Sequence, residues 1–406
     1  MLFSNCKLLN PALNETEKRQ IQQALQPLDE AIADFRRPEN NRLPPKRYKL
    51  ALTLPDFRLH LNTDSAELKA ELLDYFTCHM HEITGTEQAD VKADAEVDAF
   101  EMDTQFVANL PWQDWTREGG KVGRKDTYFD FECTDGQKRR LVYKIKTGML
   151  LLQSRQRSAV MGPVHQYPNQ VINFLLTQYL NRQQQQGWLL AHAAGLQIQQ
   201  HGIAIAGLSG GGKSTLMLKL LEHGEHFISN DRLLLKRLNA QKTWMHGIPK
   251  QPRINPGTIV HHDRLHPLIN EAERQHFLSL PSETLRQIEQ KYDAPVDSLF
   301  WQGCTKLESQ LDYLIILNWG DAKAKQTKFQ QVDLKQREDL LPAIMKSAGV
   351  FYSVEENGEE SFPENAKIPS PADYLTALEP VKVYELSGKR DFEQAVESVL
   401  SELRTD

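Results

Sequence analysis

Apolar residues recur at helical spacing over residues 15–37 (ETEKRQIQQALQPLDEAIADFRR), at Ile21, Ala24, Leu25, Leu28, Ile32 and Phe35. That spacing predicts an amphipathic helix, broken or kinked near Pro27. Residues 38–47 are polar and proline-rich and read as a linker. Alternation then predicts strands over 48–54 (YKLALTL) and 57–61 (FRLHL), followed by a helix that starts after Asp64 and Ser65 and runs through Phe76. Residues 128–132 and 141–145 alternate on either side of Asp135-Gly136, a hairpin signal, and 149–152 extends the pair. The expectation for residues 1–150 is an α+β domain with an antiparallel sheet.

Residues 151–187 read as a connecting strand and helix. The helix covers 169–185, with its glutamine run at the wet end and Gly187 as the stop. Residues 188–406 form the second predicted domain. Strands are expected at 194–199 and 203–206, joined by Gln200-His201-Gly202, and then at 226–229, 313–317 and 381–386. A helix over 391–403 follows Gly388. Residues 356–371 are acidic and proline-rich and read as a loop. Two domains also suit a chain of 406 residues, which is long for one core.

Between the strand 203–206 and a helix over 215–223 lies Gly207-Leu208-Ser209-Gly210-Gly211-Gly212-Lys213-Ser214-Thr215. It matches the phosphate-binding loop pattern, in the strand–loop–helix context that pattern requires. Glycines without a Cβ let the backbone turn its N–H groups toward a polyphosphate. Gly207, Ser209, Gly210, Gly211, Gly212, Lys213, Ser214 and Thr215 are therefore the predicted nucleotide-binding residues. Lys213 would reach the β- and γ-phosphates and the Ser214 hydroxyl would hold Mg²⁺.

Three other segments carry candidate chemistry. The strand over 226–229 empties into Asn230-Asp231-Arg232, where a carboxylate can hold Mg²⁺ or accept a hydroxyl proton, although Asn and Asp are also common turn residues. His192 lies in LAHAAG, a setting in which a lone histidine is ordinarily a satisfied core residue. Lys250 and Arg253 sit in GIPKQPRINPG, a loop stiffened by three prolines that can preset a cation for a transferring phosphoryl group. Glu289 and Asp293 in LRQIEQKYD stand at i and i+4 of an expected helix, ordinarily a solvated face.

Together these segments resemble the catalytic domain of bacterial HPr serine kinase/phosphorylase, and more closely the branch called HprK-related kinase B. The resemblance rests on His192-Ala193-Ala194-Gly195, GLSGGGKST, FISNDR and PKQPRINPG, with TGMLLLQS and NQVINF upstream, and covers about 148–257. It implies an α/β fold with a P-loop kinase core shared with phosphoenolpyruvate carboxykinase, beside the N-terminal α+β domain. By the same resemblance Asp231 would be the catalytic acid-base group and a metal ligand with Ser214. His192 would sit beside Asp231, and Arg253 would be the arginine of a signature loop. The sequence departs from that family in two places. Asn230 stands where a first aspartate is expected, and Gln251-Pro252 where an acid precedes the arginine. An amide cannot serve as a general base.

The function implied is transfer of the γ-phosphoryl group of ATP, with Mg²⁺, to a hydroxyl of a protein serine or a small molecule. The alternative is a nucleotide-dependent switch or ATPase that recruits a partner protein. Partners expected are the nucleotide and an unidentified phosphoryl acceptor, with self-association into a homo-oligomer left open. The net charge of −6 argues against a general nucleic-acid binder. No stretch approaches 18 apolar residues, so no membrane partner is expected. Cys6, Cys78, Cys133 and Cys304 lack metal-ligand spacing and read as separate thiols in a reducing, cytoplasmic compartment, in keeping with an N-terminus that lacks the pattern of a signal peptide.

Overall fold

The computed structural model describes residues 3, 5–37, 47–84, 92–115, 126–134, 136–155, 157–207, 211–288, 290–319, 324–356, 359–362 and 369–405. It is a mixed α/β structure with large mixed sheets. The chain divides into two compact units, one made of Met1–Gln185 and Ala348–Lys367, the other of Gln186–Ser347 and Ile368–Asp406. The predicted linker over 38–46, Asp135 of the hairpin turn and part of the acidic loop lie outside the described residues.

In the first unit, the expected single helix is two. Glu15–Ala24 ends at Leu25, and Gln26–Arg36 begins with Pro27 in its first turn, where a missing N–H costs nothing. Asn14 caps the first of them, accepting from the backbone N–H groups of Thr16 and Glu17. Ile21, Leu25, Leu28, Ile32 and Phe35 all turn into one core. Strands Tyr48–Leu54 and Phe57–Thr63 pair antiparallel, and Ser65 caps the helix Ala66–Phe76.

The sheet itself is mixed, which corrects the antiparallel expectation. Arg157–Gly162 and Phe57–Thr63 both pair parallel with Ala95–Glu101, a strand that the sequence reading missed. That strand carries the fully buried Asp98, held by Arg36 Nε at 2.7 Å, Arg157 at 2.6 Å and Asn62 Nδ2 at 3.1 Å. Buried charge survives in a core only when paired and hydrogen-bonded in this way.

Arg140 is also fully buried. Its guanidinium makes two 2.7 Å bonds to Asp130, donates to the Val350 carbonyl at 2.8 Å, and lies over the rings of Tyr128 and Phe362 at 4.4 and 4.9 Å.

Two of the four cysteines are not thiols. Cys6–Leu8 pairs antiparallel with Asp126–Cys133 so that Cys6 faces Cys133, and the two are joined in a disulfide. A separation of 127 residues leaves no trace of this in sequence; strand register creates it. Cys78 and Cys304 are free. A bonded pair removes the cysteine argument for a reducing compartment. Among the described residues no helix is long and apolar enough to cross a membrane.

The second unit is built on a six-stranded sheet in the order His226–Ser229, Ala193–Ile198, His201–Gly207, Tyr313–Trp319, Lys382–Gly388, Thr327–Gln331. The three strands starting at His201, Tyr313 and Lys382 are parallel. Ile203 and Ile205 join a core with Leu216, Leu220 and Val396 from the helices Lys213–Leu221 and Phe392–Leu403. Ala204 and Ala206 face a different core with Ile316, Tyr374 and Val383. Burial on both faces explains the continuous apolar run before the glycine loop.

The turn of the first hairpin is Gln199-Gln200, both at positive φ, rather than Gln200-His201-Gly202. Gly202 lies inside the strand because a Cβ there would overlap the Gln310 carbonyl oxygen. A second, antiparallel sheet has four strands, Leu189–Ala191, Leu233–Arg237, Thr243–His246 and Glu308–Leu311.

His262 is buried against Phe300, with Glu222 3.6 Å away. Burial lowers its pKa below the ordinary value, and a hydrogen bond to the Leu218 backbone and the charges of Glu222 and Asp263 only partly oppose this. The folded protein thus binds fewer protons than the unfolded chain once pH falls through the unfolded value of about 6.5. The stability this provides is full above that pH and declines below it. We expect urea midpoints to drop between pH 7.5 and 5.5, and the drop to be smaller in His262→Leu. An equal slope in the two proteins would refute the assignment.

Candidate functional site

His192 and Asp231 come together because two neighbouring strands change sheets at the same place. His192 is the one residue between Leu189–Ala191, in the four-stranded sheet, and Ala193–Ile198, in the six-stranded sheet. Asn230-Asp231-Arg232 is the equivalent crossing between His226–Ser229 and Leu233–Arg237. The strands are paired both before and after the crossing. The two crossings therefore lie side by side, with His192 Nε2 3.2 Å from Asp231 Oδ1. The His192 backbone N–H donates to the Ile344 carbonyl at 2.7 Å, which fixes the crossing.

The glycine loop arrives beside them through the next strand. Ala193 pairs with Ala206, so Gly207 ends its strand next to His192. Gly212 has φ of 90° and begins the helix Lys213–Leu221; a Cβ there would meet the Phe392 ring at 2.6 Å. Glycine is needed on both counts. The Trp319 indole N–H donates to the Gly211 carbonyl at 2.7 Å. Lys213 Nζ turns back, 3.1 Å from the Gly207 carbonyl and 3.1 Å from His192 Nε2. Ser209 and Gly210 lie outside the described residues.

These groups open on a cleft of about 670 Å³, a size suited to a small ligand. Gly211, Gly212, Lys213, Ser214 and Thr215 line it together with His192, Asn230, Asp231 and Arg253. The Thr215 and Thr258 hydroxyls meet at 2.8 Å. Among the described residues, lysines 213, 219, 250 and 291 and arginines 253, 286 and 390 share the lining with one acid, Asp231. Such a wall favours anions.

Burial pushes the Asp231 carboxyl up. The hydrogen bond from His192 and the charges of Lys346, His192 and Arg232 outweigh it and hold the group well below the usual carboxylate range. Burial lowers Lys213, with Lys346 adding and Asp231 opposing. Lys250 is brought down to about 8, by burial first and by Arg232 next. Crowded, partly buried cations of this kind are relieved when an anion binds.

Arg253 is placed by a partner that sequence reasoning put on a helix. Arg253–Ile254 pairs antiparallel with Tyr292–Asp293, and Arg253 Nε lies 3.3 Å from Asp293 Oδ1. The expected i, i+4 helix is absent: the helix is Ser282–Gln287, and Asp293 is on a short strand. Glu289 lies outside the described residues.

Asn230 Oδ1 is buried, lines the cleft residue by residue with Asp231, and has no hydrogen-bond partner among the described residues. An orphaned carbonyl oxygen next to a carboxylate, in a cleft that a serine hydroxyl also lines, offers oxygen donors of the kind that suit Mg²⁺. Among the described residues no group of three His, Cys, Asp or Glu is gathered to hold a metal.

Gly247, the first residue of GIPKQPRINPG, has a packing role that the motif did not announce. It leads into the proline loop, donates its N–H to Leu307 at 2.7 Å, and packs so tightly on the strand His226–Ser229 that a Cβ would overlap the Ile228 carbonyl oxygen. Gly247→Ala must therefore push apart the loop of Lys250 and the strand that carries Asp231. We expect a loss of about 3 kcal/mol, the upper end of ordinary overpacking. For a unit of this size that lowers Tm by roughly 6–12 °C. An unchanged melting curve would contradict the packing described.

No protein-family model matches the chain, and no curated protein matches it. Among solved structures, it is similar to the Hpr(Ser) kinase/phosphatase from Coxiella burnetii, at 13% identity over 53% of this chain and 96% of that one, with a TM-score of 0.27. A TM-score that low carries no weight, so the resemblance drawn above stands on its motifs alone.

Proposed function

We propose that this chain is an ATP-dependent phosphotransferase with a P-loop kinase core of the HPr kinase type, moving the γ-phosphoryl group to a hydroxyl acceptor. The observation that supports it best is the meeting of three groups. Lys213 of the glycine loop, His192 and Asp231 converge within about one hydrogen-bond length at a cation-lined cleft. A phosphoryl transfer site needs mainly positioning and charge. Backbone N–H groups at the start of the helix Lys213–Leu221, with Lys213, would cradle the phosphates. Mg²⁺ would sit with Ser214, Asp231 and the Asn230 oxygen, and would offset charge on the phosphates. Arg253, steadied by Asp293, would face the transferring group.

Asn230 takes a definite place in this reading. It cannot accept a proton, but its carbonyl oxygen can ligate a cation. Among the described residues lining the cleft, Asp231 is the carboxylate left to take the hydroxyl proton. A carboxylate held so far below its usual range is a weak base. Bound phosphates would raise it, and a loose transition state needs little help from a base.

The amide of Asn230, standing where a first acid is expected, favours the second reading, a nucleotide-dependent switch or ATPase. Incubating the purified chain with γ-labelled ATP, Mg²⁺ and panels of hydroxyl acceptors separates the two. Label on an acceptor supports the kinase. Release of phosphate alone, or binding without turnover, supports the switch.

A further inference from the structure

The disulfide of the first unit has a cation against its sulfurs. Arg139 Nη1 lies 3.0 Å from Cys133 Sγ and 3.6 Å from Cys6 Sγ. Register produces the contact. Phe131 pairs with Arg139 across the hairpin and Cys133 with Cys6 on the other side, so alternation sends Cys6, Cys133 and Arg139 to one face. All three are buried, whereas the alternating Lys7 and Glu132 are exposed. The helix Gln26–Arg36 brings two more charges to this core: Asp29 accepts the Phe3 N–H at 2.8 Å, and Arg36, bonded to Asp98, feels the charge of Arg139. The helix Glu15–Ala24 presents a neutral amide, that of Gln22, to the Cys6 carbonyl. A guanidinium cannot give up its charge. It does little for a neutral disulfide and much for a thiolate. Burial itself has the opposite sign, as the Cys304 thiol, pushed up to about 12, shows; a full charge at contact distance outweighs it.

We propose that Cys6–Cys133 is a reversible redox switch at the edge of the sheet, opened by a dithiol reductant and held open as a Cys133 thiolate on Arg139. The proposal is independent of the reaction proposed above. A thiolate of the reductant attacks Cys6 Sγ and expels Cys133, the sulfur whose charge is stabilised and which therefore leaves faster. The reductant's second thiol then displaces Cys6 and closes the reductant's own disulfide. Two electrons pass to the protein. Cys6 keeps one proton as a thiol, and the other goes to solvent. The strand this unties is the outermost in its sheet and three residues long. Its departure bares residues 131–133 as a sheet edge.

The test uses the full chain in mixtures of oxidised and reduced dithiothreitol, with free thiols trapped and mapped by mass. We expect the pair to open while circular dichroism stays native, and to close again as oxidised dithiothreitol is restored. Arg139→Gln is expected to need about 10-fold more of the reduced form, because the open state has lost its stabilising charge. That variant can fail to fold, so the thiolate is also measured without it. Cys6→Ser leaves Cys133 single beside Arg139, and its far-ultraviolet thiolate absorbance, less that of Cys6→Ser/Cys133→Ser, follows ionisation with pH. The midpoint is expected below about 7.5, against about 8.5 for a free cysteine. Hydrogen exchange over residues 131–133 is expected to quicken by ~10-fold or more on reduction. A midpoint at or above the free-cysteine value overturns the proposal. So does a pair that opens only when the protein unfolds, a folded Arg139→Gln that opens at the wild-type ratio, or exchange that reduction leaves unchanged.

Discussion

Asp231→Asn slows phosphoryl transfer by about 100-fold or more while the affinity for Mg-nucleotide changes only a few-fold. The variant keeps the shape of the side chain but cannot take a proton. The neighbouring Asn230 already lacks that ability, and Asp293 is engaged with Arg253, so among the described residues no second carboxylate on the cleft wall substitutes. His192 still has an acceptor in the new amide oxygen, so the crossing keeps its geometry. Single-turnover kinetics with labelled ATP measure the transfer step, and calorimetry measures binding. Transfer that is unimpaired in Asp231→Asn would remove the base from the mechanism. An equal collapse of binding and transfer would make Asp231 a binding group instead.

Lys213→Ala is the second large effect. The ammonium is partly buried, its charge is disfavoured there by burial, and it lies at the base of the glycine loop. Phosphate oxygens restore what burial takes away. Losing one or two charge-assisted hydrogen bonds weakens binding by about 3 kcal/mol, or ~100-fold. The variant is expected to fold normally, because the methylene stem contributes little to either core. Unchanged affinity for MgATP would remove the phosphate-loop assignment and the kinase reading with it.

Local order was largely legible. Strand Tyr48–Leu54 matches the alternation residue for residue, and the hairpin, the strand His226–Ser229 and the final helix lie where periodicity puts them. These are segments with a strong apolar pattern, the strands buried over most of their length and the helix buried along one face. Pairings across the chain were not legible. Cys6 and Cys133 meet only through register, and Asp293 reaches Arg253 only because two residues of strand replace an expected helical turn. The tight glycines, Gly202 and Gly247, answer to backbone carbonyls far away in sequence, so nothing nearby announces them. At the site, motif resemblance placed His192 beside Asp231. The third member of that contact, Lys213 on the same nitrogen, follows from two sheet crossings that no periodicity encodes.

Arg140 gives the first unit a schedule. Its third donor is met by the carbonyl of Val350, 210 residues later in the chain, and Phe362, which covers its guanidinium, comes later still. A ribosome adding about 5–20 residues per second needs roughly 10–40 s to cover that distance. During that time the amino-terminal sheet has emerged with a buried cation still lacking a carbonyl and an aromatic cover. Completion of the earlier unit therefore waits on a stretch made after most of the later one. For this chain the usual order, amino-terminal domain finished first, is reversed at its last step.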